Sequence, residues 1–282
     1  MTDRANREIN ALITLLGDED ESIRSLVRDK LLEFGEPAKR MLRQTALADS
    51  EGRVRIEAQA LLEEVRLDDL ADKFKSLFSF RKFDLEQACF VLSQVEYPDL
   101  IVTDYTSKID ALAEEARNRI AGIEGEKPVV RSINHFLFKE VGFRGNKESY
   151  YDPENSYINR VLDRQLGIPI SLSALYLFIA KRLELPIYGV GFPGHFLLKY
   201  KHKSGFYIDA FNNGRILTRA DCVNYLHRQG YAFYDAYLSI STSKEILARM
   251  IRNLVLIYHQ SNEGKKIETL ERIFSDFFMQ EQ

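Results

Sequence analysis

Two polar side chains stand alone on neighbouring apolar runs, His195 in GVGFPGHFLLKY and Asp209 in FYIDAF. An imidazole held by a carboxylate is a general base: the carboxylate fixes tautomer and orientation, and the other ring nitrogen takes a proton from a nucleophile. The same pair also serves as a buried hydrogen bond that ties two strands together. Chemistry needs a third member. Ser171 and Ser173 lie at the start of the apolar segment IPISLSALYLFIAKRL, where Pro169 suits a first helical position. A hydroxyl there sits among free backbone N–H groups at the positive end of the helix dipole. It is equally placed to cap the first turn. Ser173 is two residues deeper. Cys89, in a run with Leu85, Ala88 and Leu92, and Cys222, in RADCVNYLHR, read as packed core thiols.

Metal and cofactor chemistry find little support. His135, His195, His202, His227 and His259 show no i,i+4 pairing and no adjoining set of cysteines or carboxylates, so no metal is expected. The glycines of GVGFPG precede no helix, so they are no phosphate cradle, and no cofactor is expected. Asn146, Asp152 and Asn155 belong to the loop GFRGNKESYYDPEN, where such residues either close Asx turns or touch a substrate.

The elements that must position these groups follow from periodicity. IYGVGFPGHFLLKY and FYIDAF flank a short polar turn and predict an antiparallel hairpin. With the turn centred on His202 or Lys203, His195 falls opposite or diagonal to Asp209 on one face; a one-residue slip separates them. IPISLSALYLFIAKRL is apolar all round and must be buried. A short helix, Ser156 to Leu166, precedes it and stops at Gly167. DLEQACFVLSQVEYPDL predicts a helix ended by Pro98, and Thr103 to Ile120 a second with Ile109, Leu112, Ala113 and Ala116 on one face. GIEGEKP is a break, and Lys244 to Tyr258 and Lys265 to Phe278 read as two further amphipathic helices. At the front, DEDESIRSLVRDKLLEF and DSEGRVRIEAQALLEEV superimpose: Asp18 on Asp49, Ile23 on Val54, Arg24 on Arg55, Val27 on Ala58, Leu31 on Leu62. Repeated helical units of this kind bury their faces on one another.

The blocks GFRGN, YYDPENSYINRVL, GIPISLS, GVGFPGHFL and IDAFNNG, in that order, resemble the transglutaminase-like superfamily of papain-like cysteine enzymes. The nearer likeness is to a bacterial branch in which this core is followed by tetratricopeptide-like helices, with a related core in a eukaryotic F-box protein. The likeness spans about Phe83 to Phe278; the front instead resembles HEAT-type repeats. It implies that His195 stands where the catalytic histidine stands and Asp209 where the aspartate stands. The nucleophilic cysteine belongs at the start of the helix ending at LELP, where this chain has Pro169 to Ser173 and no cysteine. That departure argues against cysteine-type transglutaminase or peptidase chemistry, and the resemblance implies that Ser or Thr after GIPI is a habit of the branch.

The bulk numbers agree with a folded protein of about two domains. The 282 residues are 45% hydrophobic and 29% charged, with a net charge of −3, which gives no basic face for nucleic acid. No run approaches the length needed to cross a bilayer, so no membrane partner is expected. The polar N-terminus lacks a signal-peptide core, and two distant cysteines make a reducing cytoplasm the expectation. The expected architecture is α+β and mostly helical: HEAT-like repeats over 1–66, a helical segment packing on the core over 67–126, a transglutaminase-like core with a small antiparallel sheet over 127–240, and a tetratricopeptide-like tail over 241–282. The expected function is non-catalytic binding of a protein or peptide, with Asn146, Asn155 and Ser173 as candidate binding residues. The alternative is an amide- or ester-bond hydrolase or acyltransferase using Ser171, His195 and Asp209.

Overall fold

In the computed structural model, which describes residues 3–48, 52–79, 83–202 and 205–278, the chain forms two compact units, Met1–Asp72 and Lys73–Gln282. Asp49 and Lys203 lie outside the described residues. The first unit holds α1 (Asp3–Leu15), α2 (Glu21–Glu33), α3 (Glu36–Ala48) and the start of α4 (Gly52–Ser79). Asp20 caps α2 by accepting from the Ser22 N–H. Ile9, Ile13, Val27, Leu31, Leu42, Val54, Ala58 and Leu61 form its core. Of the superimposed pairs, Val27 and Ala58 are both buried, whereas Val54 is buried and Ile23 faces solvent. The expected break after residue 66 falls inside α4, which has no proline or glycine after Gly52 to stop it.

The second unit is built around α9 (Pro169–Arg182), with Pro169 at its first position. Every residue from Pro169 to Tyr176 is buried. A helix of this composition must be covered on all sides. Its cover comes from α6 (Val102–Ile120), α8 (Ile158–Arg164), α11 (Ser243–Ser261) and the sheet. α5 (Leu85–Ser93), capped by Asp84, packs on α8 and α11, and ends before Pro98 is reached. α7 (Glu126–His135) runs on into a π-helical turn, Phe136–Glu140, and α10 (Arg219–Arg228) and α12 (Gly264–Phe278) complete the helices. α8 is shorter than the sequence predicts: Gln165 closes it in the left-handed conformation. Leu166–Gly167 (β2) then pairs in parallel with Arg144–Gly145 (β1). No helix among the described residues is long and apolar enough to cross a membrane.

The main sheet is antiparallel, with strands β3 (Ile187–Val190), β4 (Leu197–Tyr200), β5 (Phe206–Asp209) and β6 (Arg215–Leu217) in sequence order. Here the structure corrects the sequence reading. IYGVGFPGHFLLKY is not one strand but two, folded back so that Val190 pairs with Leu197 and Ile187 with Tyr200. Pro193 has no N–H to give a ladder, and Gly194 takes φ +64°, so the chain turns between Gly191 and Phe196. His195 therefore sits on this turn, not within a strand.

One glycine closes the loop after β5. Gly214 has φ +70°, and a Cβ there would meet the Asn134 side chain and lie 2.6 Å from the Phe138 ring. Gly214→Ala combines left-handed strain with overlap in a closed space, and is expected to cost about 2–4 kcal/mol. Thermal unfolding should show a midpoint lower by roughly 5–15 °C; an unchanged midpoint would refute the close approach.

Candidate functional site

His195 and Asp209 meet. β4 and β5 pair Leu198 with Ile208 and Tyr200 with Phe206, so Asp209, at the end of β5, lies beside the start of β4 and the turn that carries His195. The His195 Nε2 is 2.9 Å from Asp209 Oδ1. Asp209 is buried and also accepts from the Asn212 backbone N–H at 3.2 Å and from Asn212 Nδ2 at 2.8 Å. Burial works to raise the Asp209 pKa, but the hydrogen bond and charge of His195, with the bonds from Asn212, outweigh it and hold the carboxyl below its ordinary value. The His195 ring is flanked by Phe211 and Tyr225, with centroids 6.0 and 6.1 Å away. Its Nδ1 has no hydrogen-bond partner among the described residues.

The position facing His195 is a cavity of about 200 Å³ between this turn, the start of α9 and one face of α11. Ile168, Pro169 and Ile170 form the α9 wall, and Arg249, Asn253, Leu256 and Ile257 the α11 wall. The latter four recur at i, i+4, i+7 and i+8 and so share a helix stripe. Tyr150 and Tyr151, from the loop before α8, close a third side.

Ser171 does not line this cavity. Its hydroxyl is fully buried, donates to the Asn155 carbonyl, and accepts from the Ile168 N–H at 3.0 Å. No bond runs from it to His195. It satisfies the entry of α9, as a first-turn serine does. Ser173 is fully buried, and its Oγ has no hydrogen-bond partner among the described residues. Asn146 and Asn155 are buried too and bind each other, Asn146 Nδ2 donating to Asn155 Oδ1 at 3.0 Å. Asn146 Oδ1 accepts from the Ser149 N–H, and Asn155 Nδ2 donates to the Ser149 carbonyl. Asp152 caps the following turn through the Glu154 N–H. These side chains hold the loop in shape, and the cavity is lined by others.

Cys89 is buried against Met250, and burial pushes its thiol well above the ordinary range. Burial likewise pushes Cys222 up to about 12. Neither is a ready thiolate at neutral pH. Among the described residues, no cluster of three or more His, Cys, Asp or Glu is arranged to hold a metal ion.

Sequence reading missed Arg249. Its Nη2 donates to the carbonyls of Phe192 at 3.0 Å and His195 at 2.8 Å, so it fixes the turn that carries the imidazole. Its signal was a lone arginine in ILARMI, a run whose other members are buried.

The Asp209 geometry has a measurable consequence. A folded-state value below the ordinary 3.8 means its stabilisation is present above that pH and is lost as the pH falls through the folded value. Asp209→Asn should cost about 1–3 kcal/mol at pH 7. Urea unfolding from pH 7 to pH 3 should show the gap to the wild type shrinking below 3.8; a gap independent of pH would contradict the assignment.

Comparison with known proteins places these elements in a family. A UPF0162 protein of Xylella fastidiosa (strain 9a5c) is 34% identical over 185 residues, 63% of this chain and 66% of that protein. F-box only protein 21 of Homo sapiens is 32% identical over 200 residues, 61% of this chain and 31% of that protein. The chain thus spans just under two thirds of the length of the bacterial relative and about a third of the human one. No solved structure matches it. The family model of the transglutaminase-like superfamily matches residues 103–252, from α6 through most of α11, including the dyad, the α9 entry and Arg249. With just over half of its residues in that match, the chain belongs to the transglutaminase-like superfamily.

Proposed function

We propose that the Lys73–Gln282 unit is a non-catalytic recognition module that binds a peptide segment of a partner protein in the cavity beside His195. The observation that carries this reading is the commitment of the Ser171 hydroxyl to the Asn155 carbonyl and the Ile168 N–H, while Ile168, Pro169 and Ile170 stand where a nucleophile would face the imidazole. The Met1–Asp72 helices, as HEAT-like repeats, and α11 with α12, as a tetratricopeptide-like pair, offer further surfaces for protein partners in a cytoplasmic setting. A second reading has one specific observation in its favour: the His195–Asp209 bond is intact and Nδ1 is unpartnered. Amide- or ester-bond chemistry through Ser171 requires its hydroxyl to leave Asn155 and reach His195.

The two readings part on reactivity. The wild type is expected to resist a fluorophosphonate probe, and Ser171→Ala to lower stability by about 1–3 kcal/mol, because the Ile168 N–H and the Asn155 carbonyl lose their partner. Intact-mass spectrometry and urea unfolding check the two halves. Stoichiometric labelling of the wild type that Ser171→Ala abolishes would establish the enzyme reading instead.

A further inference from the structure

The cavity holds a cation with no counter-ion. Arg249 forms no ion pair among the described residues, although it is half-buried at the cavity wall. A guanidinium has five N–H bonds. Nη2 supplies the bonds to Phe192 and His195, the group lies over the Phe196 ring at 5.7 Å, and Nε and Nη1 have no hydrogen-bond partner among the described residues. The two bonds orient the planar group, so its remaining donors are fixed in direction before any ligand arrives. Partial burial of a charge with no opposite charge beside it is costly, and such a fork matches a carboxylate. Tyr150 lines the same cavity close enough to Arg249 to feel its charge, and its hydroxyl, which has no hydrogen-bond partner among the described residues, is another donor. An apolar part of the wall is made by Ile168, Pro169, Ile170, Phe196, Leu256 and Ile257, and His195, Asn253 and Tyr151 are the wall's other polar members.

From this juxtaposition we propose that the cavity binds the carboxylate of a peptide's C-terminal residue, with Arg249 receiving the carboxylate and an apolar side chain lying against Ile168, Ile170 and Leu256. The inference rests on the peptide-recognition reading and names its ligand. A chain end brings a carboxylate and an apolar side chain to the same carbon, which is what a cation beside an apolar wall accommodates. An interior acidic residue carries its carboxylate at the tip of its own side chain and leaves that wall uncovered.

The test uses the full chain and fluorescein-labelled hexapeptide pools, randomised at the first five positions with Leu, Val or Phe last. The pools are made as free acids and as C-terminal amides, and a third set is amidated with Glu in the last position. Fluorescence anisotropy is expected to show saturable binding of the free-acid pools, weakened at least about tenfold by amidation. Arg249→Gln should remove the difference between acid and amide, Arg249→Lys should restore part of it, and Ile170→Trp should abolish binding by filling the cavity. Should Arg249→Gln fail to fold, as judged by its thermal melt, the comparison of acid with amide on the wild type decides alone. Equal binding of acid and amide overturns the inference and leaves the recognition reading standing. Equal binding of the amidated Glu pool and the free acids overturns the terminal assignment in favour of a side-chain carboxylate. Absence of binding by every pool overturns both.

Discussion

Helix α9 has no face that tolerates water, and the second unit is organised by covering it. Eleven of its fourteen residues are buried, among them Leu172, Leu175, Tyr176, Phe178 and Ile179. Full burial of each large apolar side chain contributes about 1.5–3 kcal/mol, so this helix outweighs any single polar contact in the unit. α6, α8, α11, β3 and the turn after β5 all pack on it. That turn begins at Asp209, so the packing that buries α9 also delivers the carboxylate of the dyad. Of the polar groups that go inside with the helix, Tyr176 is matched and Ser173 is not: Tyr176 OH donates to Asn134 Oδ1 at 3.0 Å, and Asn134 in turn donates to the Gly214 carbonyl.

The entry of such a helix is its difficult point, because unpaired N–H groups there are carried toward the interior. Pro169 removes one donor outright. Ser171 accepts from the Ile168 N–H and donates to the carbonyl of Asn155, whose side chain is itself held by Asn146 and the Ser149 carbonyl. The loop before α8 is thus bolted to the start of α9. In that arrangement the serine is worth most as a connector, and a hydroxyl free to attack would leave two backbone groups to be satisfied elsewhere.

What could be read from the sequence follows the range of the interactions. The start of α9 at Pro169, its burial, and the existence of helix α5 are local and were legible. The even register that brings His195 to Asp209 was legible as one of two parities, since one face of a hairpin must be chosen. The turn at Gly191–Phe196 was hidden because an apolar run with scattered glycines reads equally as one strand or two. The partner of Ser171 lies 16 residues upstream and those of Arg249 lie 54 and 57 residues upstream, and no periodicity carries such pairings.

His195 is held from two sides by opposite charges. The Asp209 carboxylate takes the ring at Nε2, and the Arg249 guanidinium takes the backbone carbonyl. Asp209 also ties down the Asn212 N–H, and Arg249 also ties down the Phe192 carbonyl. Each charge therefore fixes a turn as well as the imidazole: one turn closes β5 and the other joins β3 to β4. A fold that needs both turns keeps the dyad geometry whether or not a nucleophile faces it. His195 and Arg249 then border one cavity between α9 and α11. Architecture alone accounts for the placement of both groups, but not for a half-buried cation with no ion pair among the described residues, and that unbalanced charge is what gives the cavity a chemistry of its own.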